Sequence, residues 1–565
     1  MVRGKGLLRL VPALTVLAML GPVAAGLLGA LGPALGHLPA AGLSAPPLTP
    51  LTAVLSTPGI DRSIRLSVTT GLAATALALG TVTLLLAGWT GSRAFGLLQR
   101  ALSPLLAVPH AAAAFGLAFL IAPSGWLARI VSPWATGWQV PPDILILHDP
   151  WGASLVAGLV TKEVPFLLLM SLAALRQVDA ARSRAVALSL GYGPVMGWII
   201  GVFPRLYAQI RMPVYVVLTY AMSVVDMALV LGPTTPPPLS VQIVTWMSAP
   251  ALEMRMQAAA GALLQLALVL ATLALWWLGE RVVARLGRRW VTAGRRAPAV
   301  EPLRWLGLAA ASIVAMTVLA GIAVMMLWSV AYVWRFPAAL PGALSGAVWI
   351  RQGPVLSSTL AETMWIASAS TAMALVLVLG CLEAEQRYRL RLSGRGLWLL
   401  YLPLVIPQTA FLPGLQALLI DAGIGAGQIP VILAHLVFVL PYVFLSLGDP
   451  YRAWDARLGT IAATLGAGPN RVLWRVRLPM LLGPVLTAAA VGLAVSVGQY
   501  LPTLLIGGGR VMTLTTEALA LSSGGDRRVI AAFGLMQTLA ALLPFALAIG
   551  VPAVVWRHRK GLAHG

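Results

Sequence analysis

Long apolar runs broken by short polar stretches set the rhythm of this chain. The first follows a basic flank, Met1 to Arg9, and continues to about residue 36. A helix needs about 20 apolar residues to cross a bilayer core, so this run is read as a retained first span and not a cleaved leader. Further runs fall near 64–88, 104–126, 153–175, 211–232 and 256–279. After the basic stretch 281–304 they resume near 305–333, 358–382, 396–420, 428–447, 484–506 and 528–556. That predicts an all-α polytopic membrane protein with about twelve transmembrane helices. Six spans per half return the chain to the side it started from. The halves, 1–280 and 305–565 joined by a basic cytoplasmic linker at 281–304, are therefore parallel six-helix repeats.

Composition agrees with the pattern. Hydrophobic residues make up 59% of the 565 and charged ones 10%, against about 25% charged in a soluble domain. The formal charge of +22 raises the question of a polyanion partner, and its placement answers it. Arg93 and Arg100, Arg176 to Arg205, Arg281 to Arg304, Arg387 to Arg395 and Arg452 to Arg477 follow alternate spans. The intervening loops are nearly bare, apart from Arg510 and Arg527 in 507–527. Basic residues accumulate on the cytoplasmic side of membrane spans. The map places both termini in the cytoplasm and leaves no need for a nucleic acid.

Little in the chain suggests catalysis. Cys381 stands alone, which excludes an intrachain disulfide framework, and the six histidines show no paired ligand spacing. No metal site, cofactor or catalytic residue is expected in this chain. No phosphate-binding G-x-x-x-x-G-K-[ST] loop is found either, so active transport would draw on an ion gradient or on a second subunit.

A repeat inside the polar loops favours the second subunit. The segment Asp455 to Pro484, DARLGTIAATLGAGPNRVLWRVRLPMLLGP, has a twin at Asp179 to Leu206, DAARSRAVALSLGYGPVMGWIIGVFPRL. Aligned on Gly191 and Gly466, both show a small-residue helix, a Leu-Gly break at Leu190 and Leu465, a second short helix, and Pro204 or Pro479 in register. The small residues Ala185, Val186 and Ala187, and Ile461, Ala462 and Ala463, let another surface approach closely. Glycine supplies the backbone angle that ends the first helix. An interfacial amphipathic helix would account for either copy alone, but not for both in the same loop of each half. Other landmarks recur in order: Pro109 to Gly116 with Pro407 to Gly414, Val164-Pro165-Phe166 with Leu440-Pro441-Tyr442, Ser223 to Asp226 with Ser496 to Gln499, and Gln265 with Gln537.

Each elbow resembles the EAA loop of ABC-importer permeases, with Leu190-Gly191 and Phe203-Pro204, then Leu465-Gly466 and Leu478-Pro479, on the family pattern. Trp198 and Leu473 fall where that pattern has an aromatic or apolar residue. Its glutamate is replaced by Ala185 and Thr460. The resemblance covers essentially the whole chain as two fused permease domains, similar to iron(III)-, thiamine- and sulfate-type permeases. The segment GQYLPTLLIGGGRVMTLTTEALALSSGGDRR looks most like the YnjC-type, thiamine-type branch. It implies two copies of a cytoplasmic ATPase that uses the ATP, a periplasmic substrate-binding protein, and coupling through Ala185, Ala187, Leu190, Gly191, Pro204, Thr460, Ala462, Leu465, Gly466 and Pro479. Contacts once made by the glutamate would pass to Arg182, Arg184, Arg471 and Arg475.

Ionisable groups inside spans default to function. Asp226 in span 5 and Gln499 in span 11 are the pathway candidates, expected to face each other across the pseudo-twofold axis. They suit a cationic or polar solute, although a helix–helix hydrogen bond would equally explain them. Lys162 and Glu163 are read as interfacial, and Trp126, Trp134, Trp138, Trp151 and Trp349 as an aromatic belt. The rival class is an ion-coupled secondary transporter of six plus six spans. It calls for intramembrane acids, which are scarce here, and for a charged loop after span 2, whereas GWTGSRAFGLLQR holds no acid to pair with Arg93.

Overall fold

A computed structural model describes residues 7–390 and 394–556. The basic residues Arg3, Lys5, Arg391, Arg557, Arg559 and Lys560, and the side chain of Arg395, lie outside the described residues. The chain is all-α apart from two short antiparallel hairpins, His37–Leu38 with Leu43–Ser44 and Ala331–Val333 with Ala343–Leu344. Each hairpin follows the first helix of its half, Val11–Ala34 and Leu303–Val330.

Among the described residues nine helices are long and apolar enough to cross a membrane, and eleven if each of two bent pairs counts as one span. The expected count of twelve is not reached by that measure, because several runs that read as single spans are divided. The run 211–232 splits into Phe203–Ser223 and Asp226–Leu231, and 484–506 into Leu482–Val497 and Leu501–Gly507. Near 104–126 the chain breaks before Pro109, between Arg93–Leu105 and His110–Ile121. Trp398–Val405 and Gln408–Asp421 meet at 83° around Pro407. Proline lacks the N–H that would continue the helix and excludes α geometry from the residue before it.

Two helices run the other way, past expectation. Glu253–Thr292 and Ala347–Tyr388 have 40 and 42 residues, about 60 Å at 1.5 Å per residue, twice a hydrocarbon core. The basic stretch 281–304 therefore begins as helix and turns irregular only beyond Thr292.

The packing exchanges the first helix of each half. Helix 11–34 lies against 408–421, where the backbones of Gly26 and Gly29 meet Phe411 and Gly414; a Cβ on Gly414 would strike Gly26 O and Ala30 N. Helix 303–330 lies against 60–89 and 110–121. There, a Cβ on Gly116 would come within 3.0 Å of the Gly321 backbone. Gly116 and Gly414 are the last residues of the repeated Pro109–Gly116 and Pro407–Gly414 landmarks, so the repeat marks two equivalent close crossings. The cores follow the exchange. Ala311, Val314, Ala315 and Val318 join a cluster otherwise built from the first half, while Met19 joins one built from the second.

Candidate functional site

Both elbows close their first helix with the same backbone motif. Ala180–Ser189 and Ala456–Thr464 start on Asp179 and Asp455, whose carboxylates accept from Arg182 N and Arg457 N. At the other end Gly191 N donates to Leu188 O and Tyr192 N to Ala187 O. In the twin, Gly466 N donates to Ala463 O and Ala467 N to Ala462 O. This Schellman pairing needs the left-handed region at the glycine, and φ is +81° and +83°. The second helices start at Pro194 and Pro469. Pro204 opens the next membrane helix, and Pro479 ends just before the 76° bend into Leu482–Val497.

Exposure sorts the predicted elbow residues. Ala185, Leu190, Thr460, Leu465 and Pro479 are exposed, with Val186, Leu188 and Ile461 beside them, and Leu465 reaches 83%. Ala187 departs from the expectation of an approachable surface. It is buried beneath helix 194–201, where Cβ atoms on Gly197 or Gly201 would touch it. Its twin Ala462 is half-buried. A residue one turn from the exposed stripe faces the elbow's own second helix, so its small size serves internal packing. Trp198 is buried with Val195, Val202 and Leu206 and anchors that second helix to the membrane body.

The elbows are tied down differently. The irregular end of the 281–304 stretch crosses the first one: Arg296 Nε donates to Leu190 O at 3.0 Å, and the Glu301 carboxylate accepts from Val195 N at 3.1 Å and Met196 N at 3.2 Å. One side chain caps the carbonyl end of the first helix; the other caps the amide end of the second. At the second elbow a Cβ on Gly466 or Gly468 would meet nothing within 4 Å. That elbow is held from beneath instead. Buried Arg477 pairs with Glu383, which also accepts from Tyr451 and from Arg387 Nε at 2.5 Å, and Arg387 reaches Asn470 Oδ1 at 2.9 Å. Arg477 also lies 4.4 Å from the Trp454 ring centroid.

Asp226 and Gln499 sit at helix breaks, not within continuous spans. Each break is satisfied from inside the protein, as backbone within a bilayer requires. Ser240 Oγ donates to Val224 O at 2.8 Å and Thr515 Oγ1 to Val497 O at 2.6 Å. Leu239 N donates to Ser67 Oγ and Leu514 N to Thr363 Oγ1. Gln265 reaches Met222 O and Gln537 reaches Thr515 Oγ1. Asp226 is buried at the first turn of 226–231. Gln499 is half-buried and accepts from Gln408 Nε2 at 3.3 Å.

Lys162 and Glu163 are not interfacial. Both are buried, at 3% and 5% exposure, nearly midway along Ala153–Leu175. The break before Pro109 frees carbonyls in the interior, and Lys162 Nζ donates to Leu105 O, Leu106 O and Val108 O at 2.5–3.2 Å. Arg527, the exception in the charge map, donates to Ser124 Oγ at 2.7 Å beside buried Arg129, which reaches Ser124 O and Arg335 O. These guanidiniums fasten loops of the two halves together.

Comparison with known proteins settles the family. The chain is 31% identical over 523 residues, 91% of its length and 93% of the relative's, to the inner membrane ABC transporter permease protein YnjC of Escherichia coli. This chain is an ABC transporter permease. Residues 376–555, which hold the second elbow and its break, match the family model for binding-protein-dependent transport system inner membrane components. Shorter likenesses are to the molybdenum transport system permease protein ModB of Mycobacterium tuberculosis, 31% over 36% of this chain and 85% of the relative, and to the spermidine/putrescine transport system permease protein PotC of Haemophilus influenzae, 26% over 32% and 69%. As a member of this family the permease is a multi-pass inner-membrane transport subunit, of a kind that works with an ATPase and a binding protein.

Several residues that organise the permease escaped sequence reasoning. Arg296 and Arg477 enter the sequence reading only as loop charge, and Glu301 and Glu383 not at all, because their partners lie about a hundred residues away. Lys162 and Glu163 carried a signal, being ionisable in an apolar run, but their adjacency pointed to an interface.

Proposed function

We propose that this permease carries a small polar solute, delivered by a periplasmic binding protein, by alternating access driven by two copies of a separate cytoplasmic ATPase. The observation that carries the reading is the pair of elbows with identical backbone closure, each ending in an exposed apolar tip, Leu190 and Leu465. The elbow face is the cytoplasmic one, with both chain ends on it, in keeping with the arginines of the alternate loops. An elbow without its glutamate docks by shape, through Val186, Leu190, Ile461 and Leu465, with Arg182, Arg184, Arg471 and Arg475 as polar contacts. The solute passes Asp226 and Gln499 and is thiamine-like or iron(III).

Replacing Gly191 and Gly466 together by Pro removes the positive φ and a donor of each closure. The variant is expected to lose co-purification with the ATPase while keeping a monodisperse gel-filtration profile in detergent. Solute uptake that persists without any ATPase and collapses with a protonophore would sink the reading in favour of an ion-coupled carrier.

A further inference from the structure

The break of span 11 frees two carbonyls, and backbone within a bilayer must find its partners inside the protein. Thr515 serves Val497 O. The carbonyl of Gln499 is served differently. No backbone N–H among the described residues donates to it, whereas Thr503 Oγ1 does, at 3.1 Å. Thr503 stands one turn further on, in Leu501–Gly507.

That bond commits the one hydroxyl proton of Thr503. Its oxygen remains an acceptor, and the ring of His435 lies against it with Nε2 at 2.9 Å. The other ring nitrogen, Nδ1, is 2.8 Å from Ser496 Oγ. A neutral imidazole donates from one nitrogen and accepts at the other, and the partners decide which. With Thr503 donating to Gln499 O, the His435 proton belongs on Nε2, and Nδ1 accepts from Ser496. Ser370 Oγ supports that serine at 3.3 Å. His435, Ser496 and Thr503 are all at most 3% exposed. One ring on Gln428–Ala453 thereby ties the end of Leu482–Val497 to the start of Leu501–Gly507, across the break.

The first half has no such tie. Aligning Pro165 with Pro441 puts Leu159 in the place of His435, and aligning Asp226 with Gln499 puts Val230 in the place of Thr503. Ser223 keeps the place of Ser496, but its hydroxyl donates to its own helix, at Thr219 O. The bonds from Ser240 to Val224 O and from Thr515 to Val497 O are common to both breaks. The imidazole braces only one of them.

We propose that His435 is a positioning residue of the transport pathway: as a neutral Nε2–H imidazole it braces the break of span 11 and, through Thr503, fixes the backbone that presents Gln499. The proposal deepens the transport reading above and rests on it for the role of Gln499; the brace itself does not.

The test uses the full chain in lipid nanodiscs. Nitrogen-15 NMR of histidine-labelled protein, with the His435 signals assigned by their loss in His435→Gln, is expected to show a bare Nδ1 and a protonated Nε2. A protonated Nδ1 would overturn the proposal. Hydrogen exchange reads the brace. His435→Leu installs the side chain that the first half carries at this place, so the fold is expected to accept it. It should speed exchange across residues 496–504 at least tenfold and leave 223–231 unchanged. His435→Gln, whose amide brings an N–H toward the place of Nε2, should return most of the protection. Equal acceleration at both breaks, or none at 496–504, would likewise overturn the brace. The pathway reading is scored separately, by labelling Gln499→Cys in a Cys381→Ser background with a water-soluble methanethiosulfonate. Labelling is expected, and several-fold faster once His435→Leu is added; an equal rate would overturn the positioning of residue 499. No labelling in either protein would sink the role of Gln499 in the pathway, while the brace stands or falls on the exchange result.

Discussion

At the scale of single residues, the charges in this permease divide by what they neutralise. Lys162, Arg129 and Arg296 are spent on backbone carbonyls that helix breaks and loops leave open, whereas Arg477 is spent on another side chain, Glu383. Removing one member of a buried pair leaves the other charge without compensation, which costs on the order of 3–5 kcal/mol. Glu383→Gln is therefore expected to lower the melting midpoint clearly and to loosen the second elbow. The double change Glu383→Leu with Arg477→Met should recover most of the loss. A thermal melt of the three proteins in detergent checks the order, and a double variant as unstable as the single one would count against the pairing.

At the scale of elements, the elbows share one local grammar and differ in their support. Leu-Gly closure depends on residues within one turn of one another, so Leu190-Gly191 and Leu465-Gly466 were legible in the sequence as helix ends. Which small residues stay exposed was not legible: Ala187 differs from Ala185 only by the neighbour above it. The strap of Arg296 and Glu301 belongs to the same scale. A lost amide-end cap is worth about 1 kcal/mol, so Glu301→Ala should speed hydrogen exchange at Val195 and Met196 several-fold. The peptide around Gly468 to Val472, which has no such strap, should exchange unchanged. Equal acceleration at both elbows would mean that Glu301 acts on global stability instead.

At the scale of the molecule, the halves are held by exchange. Helix 11–34 completes the second half and helix 303–330 the first, each through glycine-to-backbone crossings too close for a side chain. Overpacking such a contact costs typically 1–3 kcal/mol. Gly414→Leu or Gly116→Leu should lower the melting midpoint and free the first helix of the opposite half. A thermal melt in detergent checks this, and an unchanged midpoint in both variants would count against the close crossings.

The sequence by itself determined the class, the repeat, the two elbows and the polar positions at which spans 5 and 11 break. Each of these is written in local spacing: apolar run length, prolines, a Leu-Gly pair, a four-residue landmark found twice. Tertiary structure alone decided that the first helices change places, that the chain between the halves straps one elbow and leaves the other open, and that Lys162 and Glu163 are interior. The physical reason is the same in all three. A carbonyl freed by a break, or a glycine left bare on a helix, must find its partner in whatever the fold brings beside it, and those partners lie tens to hundreds of residues away along the chain.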